Sequence, residues 1–264
     1  ARNYMQSLKT VASWSKDIGI NGIQAMSTEQ ARMYLDYRAE IVGQKALDME
    51  RQAIQAMMQF NGKLQPKQTL YRVKSLLEEI KRSRAYTAEQ ANAISQRQTV
   101  KHELATQLAY AAGLRAHELL TLSKASERPP NNRPALNSKW QGRSGELYTV
   151  AGKGGLIRHV LIPNHLVNQL EAKKLKQPIT VTDREINYLQ HYDIGGGKKW
   201  SDSFSKASNR TLLFSTGAHG LRHSYAQERM VELHTLGFKY KTALETVSQE
   251  MGHFRPEITE VYLR

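Results

Sequence analysis

His219–Gly220–Leu221–Arg222–His223–Ser224–Tyr225 is the stretch on which the reading of this chain turns. A helix is expected over 219–235, which puts His219 and Arg222 one turn apart on one face. Toward the C-terminus, a further helix is expected over 240–252. Met251–Gly252–His253–Phe254 follows, and Tyr262 stands near the end. Toward the N-terminus, 183–210 fits no simple pattern, and the glycines at 195–197 suggest a flexible point. Residues 146–151 and 156–163 read as two strands joined by Gly152–Lys153–Gly154–Gly155, a hairpin turn with Lys153 at its tip. Residues 125–145 are rich in Pro, Asn, Arg, Ser and Gly and read as a loop. Before them, a helix over 100–112 breaks at Gly113, and another is expected over 115–122 with Glu118 three residues after Arg115.

The first part of the chain reads as helices. Tyr4, Leu8, Val11 and Ala12 share one face, with Trp14 close by, and a turn follows at 17–22. Ser27 and Gln30 have capping-box spacing ahead of a second helix with the stripe Met33, Tyr34, Tyr37, Ile41. A third runs through Leu47, Ile54, Met57 and Met58 to Phe60 and ends at Asn61–Gly62. After Pro66, Leu70, Val73, Leu77 and Ile80 mark a fourth. Lys81, Arg82 and Arg84 form a short basic stretch read as a linker before a helical start at Thr87. The fold class is therefore mainly α with a small β-sheet, in two domains over 1–84 and 85–264.

Charge narrows the partners. Thirty-eight Lys and Arg oppose 24 Asp and Glu, and the surplus divides as +6 over 1–86 and +8 over the rest. Two positive halves suit a polyanion between them, so nucleic acid ranks first. No basic amphipathic helix with an aromatic face points to a membrane surface. Absence of cysteine excludes disulfides and zinc–cysteine sites, and fits a reducing cytoplasm. No apolar run is long enough to span a bilayer, and no signal-peptide core or Walker phosphate loop is present. The chain begins at Ala1 and stops two residues after Tyr262, and both ends are expected to continue in a longer protein.

Metal-free phosphodiester transfer needs fixed cations for the phosphate, a nucleophile in line, and an acid for the departing oxygen. Arginine suits the first task because its planar fork can hold two phosphate oxygens. Arg115, Arg222, His219, His253, Lys153 and Tyr262 supply these types, with Glu118 placed to brace Arg115. Taken singly, each is an ordinary surface, turn or packing residue.

Taken in order, they resemble a family. Ala112–Gly113–Leu114–Arg115–Ala116–His117–Glu118–Leu119–Leu120, Gly152–Lys153–Gly154–Gly155, His219 to Tyr225, Met251 to Phe254, and Tyr262 resemble the arginine, lysine, His-x-x-Arg, histidine and tyrosine motifs of the tyrosine recombinases, or phage integrases. The resemblance implies a helical core-binding (SAM-like) domain followed by an α+β catalytic domain. It implies that Tyr262 attacks the scissile phosphate to form a 3′-phosphotyrosyl link. Arg115 and Arg222 then hold the non-bridging oxygens, and His253 donates to the phosphate. Lys153 protonates the leaving 5′-oxygen, His219 assists as a base or positions the phosphate and tyrosine, and Glu118 supports from behind. No cofactor, metal or ATP is implied. The expected partners are double-stranded DNA recombination sites and three further copies of the chain, passing through a Holliday junction. Accessory DNA-bending or directionality proteins are candidate partners, and the expected location is cytoplasmic, on the nucleoid. The other readings weighed are a type IB topoisomerase and a DNA-binding protein on the same fold without catalysis. With little chain after it, Tyr262 is expected to be loosely held until DNA or a neighbouring subunit orders it.

Overall fold

A computed structural model describes residues 2–78 and 83–264, without the side chain of Arg2. The chain divides into two compact units, Ala1–Lys81 and Arg82–Arg264.

The first unit packs three helices, α1 (Arg2–Asp17), α2 (Thr28–Ala39) and α3 (Gln44–Phe60), around Val11, Tyr34, Leu35, Leu47, Ile54 and Met58. Ser27 and Gln30 form the expected capping box on α2. The buried face of α2 is Ala31, Tyr34, Leu35 and Ala39, whereas Met33, Tyr37 and Ile41 are exposed, so the stripe was assigned one step round the helix. The fourth helix is absent among the described residues, and Ile80 lies outside them. Leu70 and Val73 still pack on the core, but their backbone forms no regular element and is bonded by side chains of α3. Gln55 accepts from Leu70 N (3.1 Å), Arg51 donates to Leu70 O (3.3 Å), and Gln44 holds Val73 O (3.1 Å) and Ser75 N (2.9 Å). These bonds satisfy groups that a helix would otherwise pair internally.

In the second unit, Thr87 caps α4 (Ala88–Ser95) with a capping box to Gln90. Next, α5 (Val100–Ala112) ends at Gly113 in the left-handed conformation. A Cβ there would sit 2.8 Å from the Tyr225 ring, so both the φ and the close approach call for glycine. Where a helix over 115–122 is expected, the structure has only a 3₁₀ turn, Glu118–Thr121, and the Glu118 side chain accepts the Arg115 backbone N–H ahead of it. Strands β1 (Ser123–Lys124), β2 (Gly145–Ala151) and β3 (Ile157–Pro163) form an antiparallel sheet in the order β1-β2-β3. Tyr148, Val150, Val160 and Ile162 are buried in its core. Lys153–Gly155 makes the tight turn between β2 and β3, as the glycines suggest.

After α6 (Asn164–Glu171), β4 (Lys174–Asp183) and β5 (Ile186–Tyr192) form a two-stranded hairpin packed against the Glu118–Thr121 turn. The glycines at 195–197 are not a flexible point. They lead into α7 (Gly197–Leu212) at close quarters: a Cβ on Gly196 would lie 2.6 Å from Leu120, and one on Gly197 2.6 Å from Asp183. Helices α8 (Gly220–Thr235) and α9 (Tyr240–Met251) match expectation, and a one-turn α10 (Pro256–Glu260) precedes Tyr262. Of the basic stretch read as a linker, Lys81 and Arg82 lie outside the described residues. Arg84 donates to Thr216 O at 2.6 Å. Among the described residues no helix is long and apolar enough to cross a membrane.

Candidate active site

The site is built on a buried carboxylate. Glu118 is fully buried just beyond the left-handed end of α5. It accepts from Arg115 twice, at the backbone N (2.8 Å) and at Nη1 (2.6 Å). Arg158, pointing inward from β3, donates from Nη2 at 2.9 Å and sends Nη1 to Glu250 O at 2.7 Å. Arg222, fully buried in the first turn of α8, stands 3.8 Å from the same carboxylate and donates to Gly113 O and, at 3.2 Å, to Met251 O. Burial alone would raise the Glu118 pKa. Arg158, Arg222 and Arg115 overcome this and hold it well below the usual carboxylate range. Burial and Arg115 draw Arg222 down to about 10, which leaves it charged at neutral pH. Three guanidiniums thus share one carboxylate, so the cluster carries two surplus positive charges.

The surplus lies beneath Tyr262. The Arg222 guanidinium sits 5.5 Å from the centre of the Tyr262 ring. Three histidines surround that ring: His219 at 5.4 Å, His223 at 4.8 Å and His253 stacked at 5.0 Å, centroid to centroid. Tyr262 is 9% exposed and joins the core between α8 and α9. Gln227 ties down the terminal backbone by donating to Tyr262 O (3.1 Å) and Arg264 O (2.9 Å). The tyrosine is therefore not loosely held as expected: packing and this tether hold it in place.

The histidines are held neutral. Burial, then Arg222 and Arg115, pull His253 down to about 3. Burial, then Arg222 and Arg84, pull His219 down to about 4, although part of its ring reaches solvent. Burial and Arg84 pull His223 down to about 4. His253 Nε2 lies 3.0 Å from Arg222 Nη2, and its Nδ1 lies 3.0 Å from Thr259 Oγ1. A guanidinium can only donate, so Nε2 accepts and the ring proton sits on Nδ1, directed at Thr259.

Of the seven residues singled out by sequence, the structure gathers Arg115, Glu118, His219, Arg222, His253 and Tyr262. Lys153 stands apart, exposed on the β2–β3 turn, with no hydrogen bond or ion pair to the other six. The base of that turn does reach the site: a Cβ on Gly152 would lie 3.4 Å from Glu118 Oε1. Three further residues escaped sequence reasoning. Arg158 occupies an inward position of β3, in register with Val160 and Ile162, and strand alternation alone would have flagged it as a buried cation. His223 follows His219 by one helical turn, which places both on one face. Thr259 carries no sequence signal. Among the described residues, no group of three or more His, Cys, Asp or Glu is arranged to hold a metal ion.

No protein-family model matches the chain, and no curated protein does either. Solved structures match over nearly its whole length. A lambda integrase tetramer bound to a Holliday junction superposes with a TM-score of 0.60 at 16% identity, over 98% of this chain and 70% of that one. The Tn1549 transposon integrase in complex with transposon right end DNA gives 0.59 at 14%, over 99% and 88%. The XerH site-specific recombinase bound to difH gives 0.57 at 14%, over 99% and 74%. What these proteins share with the chain is the tyrosine recombinase/integrase fold, α-rich with small antiparallel sheets, and that is the fold this chain has.

Proposed function

We propose that this chain is a site-specific DNA recombinase that cuts and rejoins strands through Tyr262, serving integration and excision of a mobile element. The observation that carries the reading is the pair of surplus positive charges around Glu118, with Arg222 lying under the Tyr262 ring. Buried surplus charge is costly, and an entering phosphate would neutralise it.

In this scheme Arg115 and Arg222 grip the non-bridging oxygens of the scissile phosphate. The Tyr262 phenol oxygen attacks phosphorus and the bond to the 5′-oxygen breaks. Neutral His219 takes the phenolic proton, and Lys153, at the tip of its turn, gives one to the leaving oxygen. The product is a 3′-phosphotyrosyl link and a free 5′-hydroxyl, and attack by another 5′-hydroxyl reverses the step. No ATP or metal enters the scheme. His253 Nε2 accepts from Arg222. Donation from His253 to the phosphate therefore requires that bond to be given up as the phosphate arrives. Arg158 neutralises part of Glu118, which leaves Arg115 and Arg222 freer to turn to the phosphate. A helical core-binding domain over 1–84 and a catalytic domain over 85–264 would each contact DNA. The active form is a homotetramer on paired sites, and the protein works in the cytoplasm on the nucleoid.

The test is a duplex nicked close to the recombination site, so that the cut fragment is lost and covalent complex accumulates. A denaturing gel should show protein-linked DNA with the wild type and none with Tyr262→Phe. An equal band with the variant would remove Tyr262 as nucleophile. Relaxation of supercoiled DNA without exchange between two sites would favour the topoisomerase reading.

A further inference from the structure

The loop between β1 and β2 builds a second cationic cavity beside the first site. Asn131 pairs with the edge of β3, its N donating to Ile157 O (2.9 Å) and its Oδ1 accepting from Ile157 N (2.7 Å). Further along, Leu136 N donates to Gln249 Oε1 (2.9 Å), Ser138 and Thr246 share a hydroxyl contact (2.6 Å), and Trp140 N donates to Glu250 Oε1 (2.8 Å). The loop is thus fastened at several points to β3 and α9. It encloses a cavity of about 370 Å³ against Arg158 and against Phe254, the residue that follows His253.

The lining is one-sided. Arg133, Lys139 and Arg158 face the cavity and, among the described residues, no Asp or Glu lines it. Arg158 is committed to Glu118. Among the described residues the other two cations form no ion pair with a carboxylate, although Glu250 attracts Lys139 from further off, and both rest on aromatic rings, Arg133 5.6 Å from the centre of Phe254 and Lys139 4.3 Å from that of Trp140. Burial lowers the Lys139 pKa, so its ammonium is incompletely compensated where it stands. His159, also on the wall, is lowered by burial and by Lys139 and adds a neutral hydrogen-bonding group. A cavity with two unpaired cations, contiguous through Arg158 with a site that already carries surplus charge, fits a continuous polyanion better than separate small ions.

We propose that this cavity is a second phosphate subsite, in which Arg133 and Lys139 together receive one backbone phosphate flanking the phosphate held by Arg115 and Arg222. The inference rests on the proposed DNA reading and deepens it. The loop would then set the path of the strand past the cleavage point, independent of base sequence.

The test is a double-mutant cycle read as affinity for a short mixed-sequence DNA duplex at low salt. Arg133→Gln and Lys139→Gln should each weaken binding by about tenfold, the scale of one lost charged hydrogen bond. The double variant should lose little more than the worse single, because both cations hold the same phosphate. The slope of log affinity against log salt should flatten by about 0.9, one phosphate contact, in all three. Losses that multiply would mean two independent surface charges, and unchanged affinity would mean no subsite. Either result overturns the proposal. Arg133 is exposed, so its substitution tests the idea even if Lys139→Gln disturbs the Trp140 packing. Formation of covalent complex at saturating DNA reads the other question separately. Wild-type protein that binds with the predicted coupling but forms none would refute strand cleavage and leave the subsite standing.

Discussion

Two buried glutamates, met by arginines two turns apart along α8, make an instructive pair. Glu250 and Glu118 are both almost inaccessible and both meet arginines of that helix. Around Glu250 the charges close. Arg229 donates to both of its oxygens (3.2 and 3.1 Å from Nε), and Tyr225 Oη and Trp140 N complete its shell at 2.9 and 2.8 Å. Arg229 also bonds Glu232 (2.9 Å), which holds Arg143 through two bonds of 2.7 Å. Two arginines face two carboxylates and every bond is internal to the protein. Around Glu118, three arginines face one carboxylate and Arg222 Nε has no partner. One cluster fastens α8 to α9 and to the β1–β2 loop. The other, made from the same side-chain types, is left incomplete where an anion can complete it.

That contrast predicts opposite consequences for two arginines seven residues apart. Arg222→Met should reduce single-turnover cleavage of the nicked duplex by roughly 10³-fold, the scale of one lost contact to transition-state charge. It should cost little stability, since the surplus cluster still holds two arginines for its carboxylate. Arg229→Met should strand the buried Glu250 and cost about 3–5 kcal/mol in thermal or denaturant unfolding. Its cleavage per folded molecule should stay near wild type. Similar stability losses in both variants would erase the distinction between closed and open clusters.

The next effect is smaller and concerns the carboxylates. Glu118→Gln leaves three guanidiniums without a counter-charge, whereas Glu250→Gln leaves Arg229 with Glu232. Inorganic phosphate, titrated against chloride at constant ionic strength, should raise the melting temperature of Glu118→Gln more than that of Glu250→Gln. At a concentration one hundred times its dissociation constant, a bound anion adds about 2.7 kcal/mol. Equal shifts would show that the site beside Tyr262 is no more open to anions than the closed cluster.

Legibility from sequence follows how local each determinant is. Gly113 announced the end of α5, and the glycines at 152–155 the β2–β3 turn, because backbone conformation there depends on the residue itself. The arginine, histidine and tyrosine motifs are short and ordered, so the resemblance could name residues that the fold then gathered. Where partners are distant, the reading failed. The stretch after Pro66 has helical spacing, yet side chains of α3 take up its backbone groups and it forms no helix among the described residues. The β4–β5 hairpin turns at Arg184–Glu185, both with positive φ, without the Asn or Gly that marks such turns. Arg158 and Thr259 matter only through Glu118 and His253, 40 and 6 residues away.

The smallest predicted effect separates the clusters by pH. His219, His223 and His253 crowd Tyr262, whereas around Glu250 a histidine, His159, meets only the Trp140 ring. Their folded pKa values of about 4, 4 and 3 lie below the ordinary 6.5. The unfolded chain therefore takes up protons below about pH 6.5 that the folded chain refuses until pH 4 or lower. Stability is full above pH 6.5 and falls as pH drops toward 4. Half-buried His102, His117, His159 and His191 are shifted in the same direction and contribute to the overall slope, so a single variant must isolate the Tyr262 share. His223 is the most buried of the three around the tyrosine, and at pH 5 its share is on the order of 1–2 kcal/mol. His223→Gln should flatten the fall in melting temperature between pH 6.5 and 5, a window in which ordinary carboxylates stay charged. Hydrogen exchange should show the segment from Thr259 to Leu263 opening over that window while the α8–α9 contact at Glu250 stays protected. If both regions open together, the acid sensitivity belongs to the whole unit, and the distinction between the closed and the open cluster along α8 is lost.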